Sequence, residues 1–287
     1  DSLSNYLNKP DKPPKDYKVL REKRYLEELE NLVNEFPDDI EARALLALRM
    51  WMGRKEVPIV SNHAVNALMS EVFAVNPLHP AHHYRIHLWD GPKPKNALES
   101  AAMCGPSLPG IAHMWHMPGH IYSKLHRYHD AVWQQEASAR TDHAHMVQTR
   151  LMPDQIHNFA HNNEWLVRNL IFLGHVSDAT LQSKNLIAMP RHPEYNSHTK
   201  RGSYRYGRMR LVQILTEYEL WDQLITEANG SFFDPTSEEE LQHERLAWLT
   251  VAYHLTGAKD EAARTVRPLE RLRIQIESQI LDLEEAL

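Results

Sequence analysis

The chain has 287 residues, of which 42% are hydrophobic and 24% charged, with a formal net charge of −6. This composition is that of a globular protein with a sizeable core, in one extended domain or two, and it lacks the basic character of nucleic-acid-binding proteins. Ten glycines are few for this length, which argues against dinucleotide-binding and all-β folds. Cys104 is the single cysteine, so any metal has to be held by imidazole and carboxylate groups. The sequence contains no run of about 18 apolar residues, so it predicts no membrane span.

Residues 1–16 are polar and contain three prolines, and we expect them to form an extended lead-in without a helix. The sequence begins at Asp1 rather than at a methionine, which is expected of a trimmed or processed chain. A removed signal peptide would place the protein outside the cytoplasm, and we favour that location on this ground alone.

A helical pattern begins at Tyr17. Apolar residues recur at helical spacing as far as Val33, and the predicted helix ends before Pro37. Asp38 or Asp39 is expected to cap the next helix, so that the two helices form a hairpin with a short turn. Helical hairpins of this kind are the unit of tetratricopeptide-type solenoids.

The same alternation of helix and turn continues along the chain and predicts an all-α, helical-hairpin solenoid as a single domain over 17–287. The further predicted helices cover 62–75, a segment beginning at Pro80, 98–104, 120–125, 128–139, 157–172, 178–187, 209–218, 222–228, 244–255 and the residues from 260 onward. Four turns resemble one another, and their corresponding residues, at intervals of 48, 45 and 37, are Tyr128, Val176, Trp221 and Ala258. Irregular intervals of this size are typical of helical repeats with insertions.

Two segments depart from this pattern. Residues 189–207 are rich in proline, glycine, tyrosine and arginine, and we interpret them as a long irregular loop, either a lid or a mobile insertion. The last predicted helix covers 268–287 and has one apolar face. We expect this helix to cap the solenoid or to pack on a second copy of the chain, which makes a homo-oligomer a candidate state.

Thirteen of the 19 histidines lie in the segment 79–161, which we interpret as the chemical centre of the molecule. Three pairs within it are four residues apart, namely His83/His87, His116/His120 and His157/His161. Residues at i and i+4 lie on one face of a helix, where two imidazoles can hold one metal ion. His113 extends the second pair along the same face. Pro118 interrupts this helix, which we expect either to start near Met117 or to be kinked.

The same region carries a resemblance to a known family. The segments NPLHPAHHYRIHLWD and ALESAAMCGPSLPGIAHMWHMPGHIYSKLHRYHDA resemble a family of bacterial tetratricopeptide-repeat proteins with His-Tyr-x-x-His and His-x-x-His-Met-Pro-x-His-Ile motifs. The match covers roughly residues 74–135. It departs from the family pattern at Gly119, where serine is usual, and at His126, where glycine is usual; the spacing from His79 to His83 is one residue short. The resemblance implies a helical-repeat fold and a histidine cluster as a family feature, without an established reaction.

If successive inner helices of a solenoid carry the three pairs, their imidazoles converge on the concave face. The predicted metal ligands are His83, His87, His113, His116, His120, His157 and His161. Such a set suits copper, which we favour, or iron or zinc, and does not suit magnesium or calcium. Six or seven imidazoles can hold two ions with open positions, where copper would activate dioxygen and zinc would activate water.

Three further residues are candidates for catalysis. Asp90 and Glu164 are the nearest carboxylates, and either is a candidate ligand of an iron site or base of a zinc site. Glu164 follows His161 by three residues on the same helix face, where it is a candidate ligand, anchor behind a ligand or general base. Tyr122 is one of several aromatic residues expected to wall a dry pocket, although ordinary core packing is the alternative for each of them. The aromatic residues are Tyr84, Trp89, Trp115, Tyr122 and Trp165.

Three classes of function follow. The first is a copper- or iron-dependent oxidoreductase that acts on a small molecule or peptide. The second is a zinc-dependent hydrolase with Glu164 or Asp90 as its base. The third is a tetratricopeptide scaffold that binds a peptide or protein partner and uses its histidines structurally. Because the predicted groove displays histidine and aromatic residues rather than lysine, arginine and asparagine, we favour a metal.

Overall fold

The computed structural model of the protein describes residues 2–8, 13–156, 158–190, 192, 194, 196–197 and 202–285. Throughout this part of the chain the regular structure is helical, and no strand occurs. None of the described helices is long and apolar enough to cross a membrane. Two compact units can be distinguished, Asp1–Thr141 and Asp142–Leu287, called unit 1 and unit 2 below. The single domain expected over 17–287 stays a prediction.

Unit 1 is built from helices that pack on their neighbours in the chain. They are α1 (Ser2–Leu7), α2 (Tyr17–Glu35), α3 (Ile40–Met52), α4 (Asn62–Val75), α5 (His82–Trp89), α6 (Leu98–Ser107) and α7 (Ala112–Lys124), followed by α8 (Tyr128–Thr149), which contains the boundary between the units. The largest apolar cluster includes Val65, Ile86, Trp89 and Ile121, from α4, α5 and α7. Because α5 and α7 also contact each other, residues on both helices can contribute to one site.

Unit 2 continues the same architecture. Its helices after α8 are α9 (Phe159–Phe172), α10 (Val176–Ala188), α11 (Ser203–Glu217), α12 (Trp221–Ala228), α13 (Glu239–Leu255) and α14 (Lys259–Glu285). Helices α9, α10 and α11 contact one another, and α13 packs along α14. Leu211, Leu215, Leu224 and Phe233 are fully buried in the main apolar cluster of this unit.

The expectation that residues 1–16 contain no helix is wrong, because α1 lies within them. The ring of Tyr6 stacks on that of Tyr25 with centroids 4.7 Å apart, and the Arg49 guanidinium lies 4.6 Å from the Tyr6 ring centre. A helix of six residues is too short to show a hydrophobic period, and it is stabilised by these contacts rather than by its own propensity.

Four turns between helices have the same backbone structure. In each, a residue with positive φ stands two positions before the next helix, and these residues are His126 (57°), Gly174 (74°), Glu219 (53°) and Gly257 (83°). The residue after each of these donates its backbone N–H to the carbonyl oxygen of the residue five positions before itself. The four distances, in chain order, are 2.9, 3.0, 2.9 and 2.8 Å. This is the Schellman closure of a helix. It confirms that the four segments correspond, and it corrects the fourth position from Ala258 to Lys259, the first residue of α14.

Asp39, one of the two residues expected to cap α3, accepts hydrogen bonds from the backbone N–H groups of Glu41 and Ala42, so this prediction is confirmed.

The helix boundaries that were predicted at prolines differ from those of the structure. Pro80 does not begin α5, which starts two residues later. Pro118 lies inside α7, which begins at Ala112, so a helix start near Met117 is wrong. Pro268 likewise lies inside α14.

Candidate metal centre

Helices α5 and α7 bring five histidines of unit 1 together. His83 and His87 lie one turn apart on α5, while His113, His116 and His120 share one face of α7. The rings form a continuous run in which neighbouring centroids are 4.5, 4.9, 5.8 and 4.6 Å apart. The order along this run is His87, His83, His113, His116, His120.

The first three rings of the run provide a set of converging nitrogen atoms. One ring nitrogen from each of His83, His87 and His113 lies within 4.8 Å of the other two. The Nε2 atoms of His83 and His87 are 3.0 Å apart. Ligands at 2.0–2.1 Å from a tetrahedral ion are separated by roughly 3.3 Å, so side-chain shifts of a few tenths of an ångström to about one ångström would suit one ion.

Burial keeps two of these imidazoles neutral. Desolvation, followed by the neighbouring imidazoles, lowers the pKa of His83 to about 3. Desolvation is also the largest cause for His87, and it lowers the pKa of this ring to about 4. The ring of His87 stacks on Trp51 with centroids 4.7 Å apart, which contributes to its burial. At neutral pH both rings therefore keep the lone pair that a metal ion requires.

The second pair, His116 and His120, has its outer nitrogens held by oxygen acceptors. Nδ1 of His116 lies 2.7 Å from Oε1 of Gln135. The Gln135 amide donates in turn to the backbone carbonyl of His116 at 3.1 Å, which determines the orientation of the amide. Nδ1 of His116 therefore carries the proton and donates it to Gln135.

The outer nitrogen of His120 faces the carboxylate of Asp90. Its Oδ2 lies 3.7 Å from Nδ1 of His120, at ion-pair rather than hydrogen-bond distance, and its Oδ1 lies 2.9 Å from Nζ of Lys124. Burial opposes ionisation of this carboxyl, but the contacts with His120 and Lys124 outweigh it and lower the pKa of Asp90 to about 2. Asp90 is thus an anion that orients an imidazole, as carboxylates do behind metal-bound histidines.

These anchors turn the inner nitrogens of the second pair towards each other. Nε2 of His116 and Nε2 of His120 are 2.8 Å apart. Because Nδ1 of His116 carries the proton, its Nε2 presents a lone pair to Nε2 of His120. A proton on Nε2 of His120 makes this contact a hydrogen bond, and a metal cation bound by the pair would take the place of that proton.

Four further residues belong to the predicted site. His157 is outside the described residues. His161 lies in unit 2, where its Nδ1 is 3.9 Å from Oε2 of Glu164. Glu164 is 5% exposed and accepts from both Nε and Nη2 of Arg210. Tyr122 packs in the apolar core of unit 1. The convergence of the third pair with the first two stays a prediction.

Two neighbouring histidines have structural partners. His79 is buried, and its ring contacts Glu41 and the backbone N–H of Ala81. His82 contacts the Ser100 hydroxyl through Nδ1 and stacks on the ring of Phe73. These contacts satisfy both rings without a metal ion.

Sequence reasoning missed Gln135 and Trp51. Gln135 is fully buried, and a Cβ atom at Gly119 would stand 2.1 Å from its Nε2. A larger side chain at position 119 would thus require Gln135 to move.

No protein-family model and no curated protein matches the sequence. Among solved structures, that of Naa15/Naa10 bound to HypK aligns with a TM-score of 0.52 at 15% identity, covering 89% of this chain and 35% of that one. The chain therefore spans about a third of the length of that protein. PilF of Pseudomonas aeruginosa aligns with a TM-score of 0.46 at 13% identity, covering 85% and 99%. The first likeness shows the fold, which is an all-α helical repeat of the tetratricopeptide type.

Proposed function

We propose that this protein is a helical-repeat scaffold that binds a protein or peptide partner, and that the histidine run of unit 1 holds a transition-metal ion. The scaffold part is supported by the fold, since one solved structure that aligns with this fold contains Naa15 in an assembly with two other proteins. The metal part depends on one observation, which is the convergence of a ring nitrogen from each of His83, His87 and His113.

The donor set limits the choice of ion. Three imidazole nitrogens suit copper, iron or zinc, and we favour copper because no carboxylate belongs to this group of three. Three protein ligands leave a coordination position open for water, dioxygen or a substrate. Bound copper or iron would supply redox chemistry there, with a small molecule or peptide as substrate.

The contacts of the two carboxylates favour redox chemistry over hydrolysis. Glu164 is engaged by Arg210, and Asp90 is engaged by Lys124 and His120. A general base needs an accessible oxygen that accepts a proton from water near neutral pH. Arg210 occupies one oxygen of Glu164, and the pKa of Asp90 is lowered to about 2. A zinc-dependent hydrolase that uses either residue as its base is therefore the weaker alternative.

Metal content tests the metal part directly. The protein is produced without an affinity tag, incubated with copper, iron or zinc salts, desalted and analysed for metal. We expect His83→Ala combined with His87→Ala to abolish binding of at least one ion per chain, because two of three ligands are lost. The control is His143→Ala with His145→Ala, which removes two exposed histidines of α8. Electron paramagnetic resonance then separates copper or iron from zinc.

Equal metal content in the two double variants, with folding retained in both, would show that the histidine run is structural. The partner part is tested separately by cross-linking in source cells, followed by binding measurements with the purified partner. One partner that binds the purified chain with a defined stoichiometry supports a scaffold. A chain that remains uncross-linked and elutes alone contradicts it, whatever its metal content.

A further inference from the structure

A second candidate site lies in unit 2 and shares no residue with the histidine run. A cavity of about 210 Å³ opens between α11 and α13. Arg205, Arg208 and Met209 line it from α11, and Glu240, Leu241 and Glu244 line it from α13. An engineered cavity of about 150 Å³ accommodates benzene, so this space suits a small molecule somewhat larger than one aromatic ring.

Arg208 is the unusual residue of this cavity. It is a cation with only 2% of its surface exposed, and its guanidinium lies 4.6 Å from the ring centre of Phe233. Its Nη1 donates to the backbone carbonyl of Asp234 at 3.0 Å and lies 3.4 Å from Oδ1 of the same residue. Nε and Nη2 are buried and have no hydrogen-bond partner among the described residues.

Nε and Nη2 of Arg208 lie on the same edge of the planar guanidinium group. Nε–H and Nη2–H of a guanidinium point in parallel, and together they bind a carboxylate through two hydrogen bonds. A buried cation with two unused donors is costly unless an acceptor reaches it. Both atoms are covered in this structure, so binding has to include rotation of a side chain in the cavity wall. Glu240 is exposed and can rotate.

The charges around the cavity are mixed. Arg205 and Arg208 contribute positive charge, whereas Glu240 and Glu244 contribute negative charge. A simple anion would be attracted by Arg208 but repelled by the two glutamates, and a simple cation would meet the opposite balance. A ligand with both an ammonium and a carboxylate group satisfies both sets. The side chains of Met209 and Leu241 offer contacts for an apolar substituent.

We propose that this cavity binds a free α-amino acid with an apolar side chain. Its carboxylate takes the two unused donors of Arg208, and its ammonium group is held by Glu240 and Glu244. The free amino acid fits better than a peptide, because the cavity is small and both charged groups of the ligand are used within it. This site is independent of the proposed metal centre.

Isothermal titration calorimetry with the full chain tests the proposal. The probes are L-leucine and L-methionine, together with isocaproate and isoamylamine, which lack the ammonium and the carboxylate of leucine respectively. We expect an amino acid to bind and each of the two analogues to bind about tenfold more weakly or worse, since each loses a charged contact.

Three variants locate the binding. Arg208→Lys removes the two-donor edge but keeps the charge, and Glu244→Gln removes one negative charge; both are expected to weaken L-leucine binding about tenfold. Arg264→Lys, at an exposed position of α14, is the matched control and keeps wild-type affinity. Circular dichroism checks folding, and if Arg208→Lys does not fold, Glu244→Gln carries the test.

Absence of binding by either amino acid to the folded protein overturns the proposal. Equal affinity for isoamylamine or isocaproate also overturns it, as does wild-type affinity in folded Arg208→Lys or in Glu244→Gln. These outcomes leave the metal proposal untouched, because none of the cavity residues belongs to the histidine run.

Discussion

Gln135 shows how a residue behind a ligand can determine what the ligand does. Its Oε1 accepts a hydrogen bond from Nδ1–H of His116 and thereby turns the Nε2 lone pair towards His120. An apolar residue in its place would leave this imidazole free to change its tautomer or to rotate. The same interaction explains the glycine at position 119, where a Cβ atom would collide with the amide.

We expect Gln135→Leu to weaken metal binding by the His116/His120 pair about tenfold to a hundredfold, the usual effect of losing a partner behind a metal ligand. Competition with a chromophoric chelator measures the affinity. Gln134→Leu is the matched control, because Gln134 is also buried but its Oε1 has no described partner. Equal affinities in the two variants would remove Gln135 from the site.

At the same scale, the contacts of Glu164 and Asp90 bear most on the choice between redox and hydrolytic chemistry. Glu164 stands at a spacing that suggests a general base, yet Arg210, 46 positions further along the chain, occupies one of its oxygens. Asp90 contacts His120 and Lys124, and its role as a ligand or base stays a prediction.

At the scale of the helices, the four Schellman turns are the clearest repeat in the molecule. Two of their positive-φ positions hold glycine and two hold His126 and Glu219, which adopt this conformation at an energetic cost. The apolar pattern predicted the helices on either side of these turns. It did not reveal which residue adopts positive φ, since only two of the four are glycines.

The turns allow a reciprocal test of backbone strain. Glu219→Gly is expected to stabilise the protein by about 1 kcal/mol, because glycine adopts positive φ without steric conflict. Gly257→Ala is expected to destabilise it by about the same amount, since φ is 83° there and a Cβ atom would otherwise meet nothing within 4 Å. Urea denaturation of both variants measures the free energies of unfolding. Changes of the same sign in both would contradict a shared turn geometry.

At the scale of the whole molecule, the buried imidazoles couple stability to pH. The pKa values of His83 and His87 are lowered from 6.5 to about 3 and about 4 in the folded state. Between pH 6.5 and about 4 the unfolded chain therefore binds protons that the folded protein does not. The stability from these groups is complete above pH 6.5 and is lost as the pH falls. Asp90, with its pKa lowered to about 2, adds a further loss below pH 4.

We expect the free energy of unfolding of metal-free protein to fall from pH 7 to pH 4.5, by at most about 1.4 kcal/mol per pH unit for each histidine. Urea denaturation in the presence of a chelator at pH 7, 6, 5 and 4.5 measures this change. His83→Asn combined with His87→Asn should flatten the curve, and His143→Asn with His145→Asn should not. An identical acid dependence in all three proteins would show that the two imidazoles are not kept neutral by burial.

The sequence by itself determined the all-helical architecture and the placing of histidine pairs on single helix faces. Both follow from the period of 3.6 residues, which is a local property of the backbone. Only the tertiary structure decided that α5 and α7 join their histidines into one run, that Gln135 reaches His116, and that Arg210 occupies Glu164. These contacts depend on how helices pack and on how far each side chain extends. The spacing of residues along the chain encodes neither of these. For the same reason the sequence did not predict the packing of Tyr6 on Tyr25.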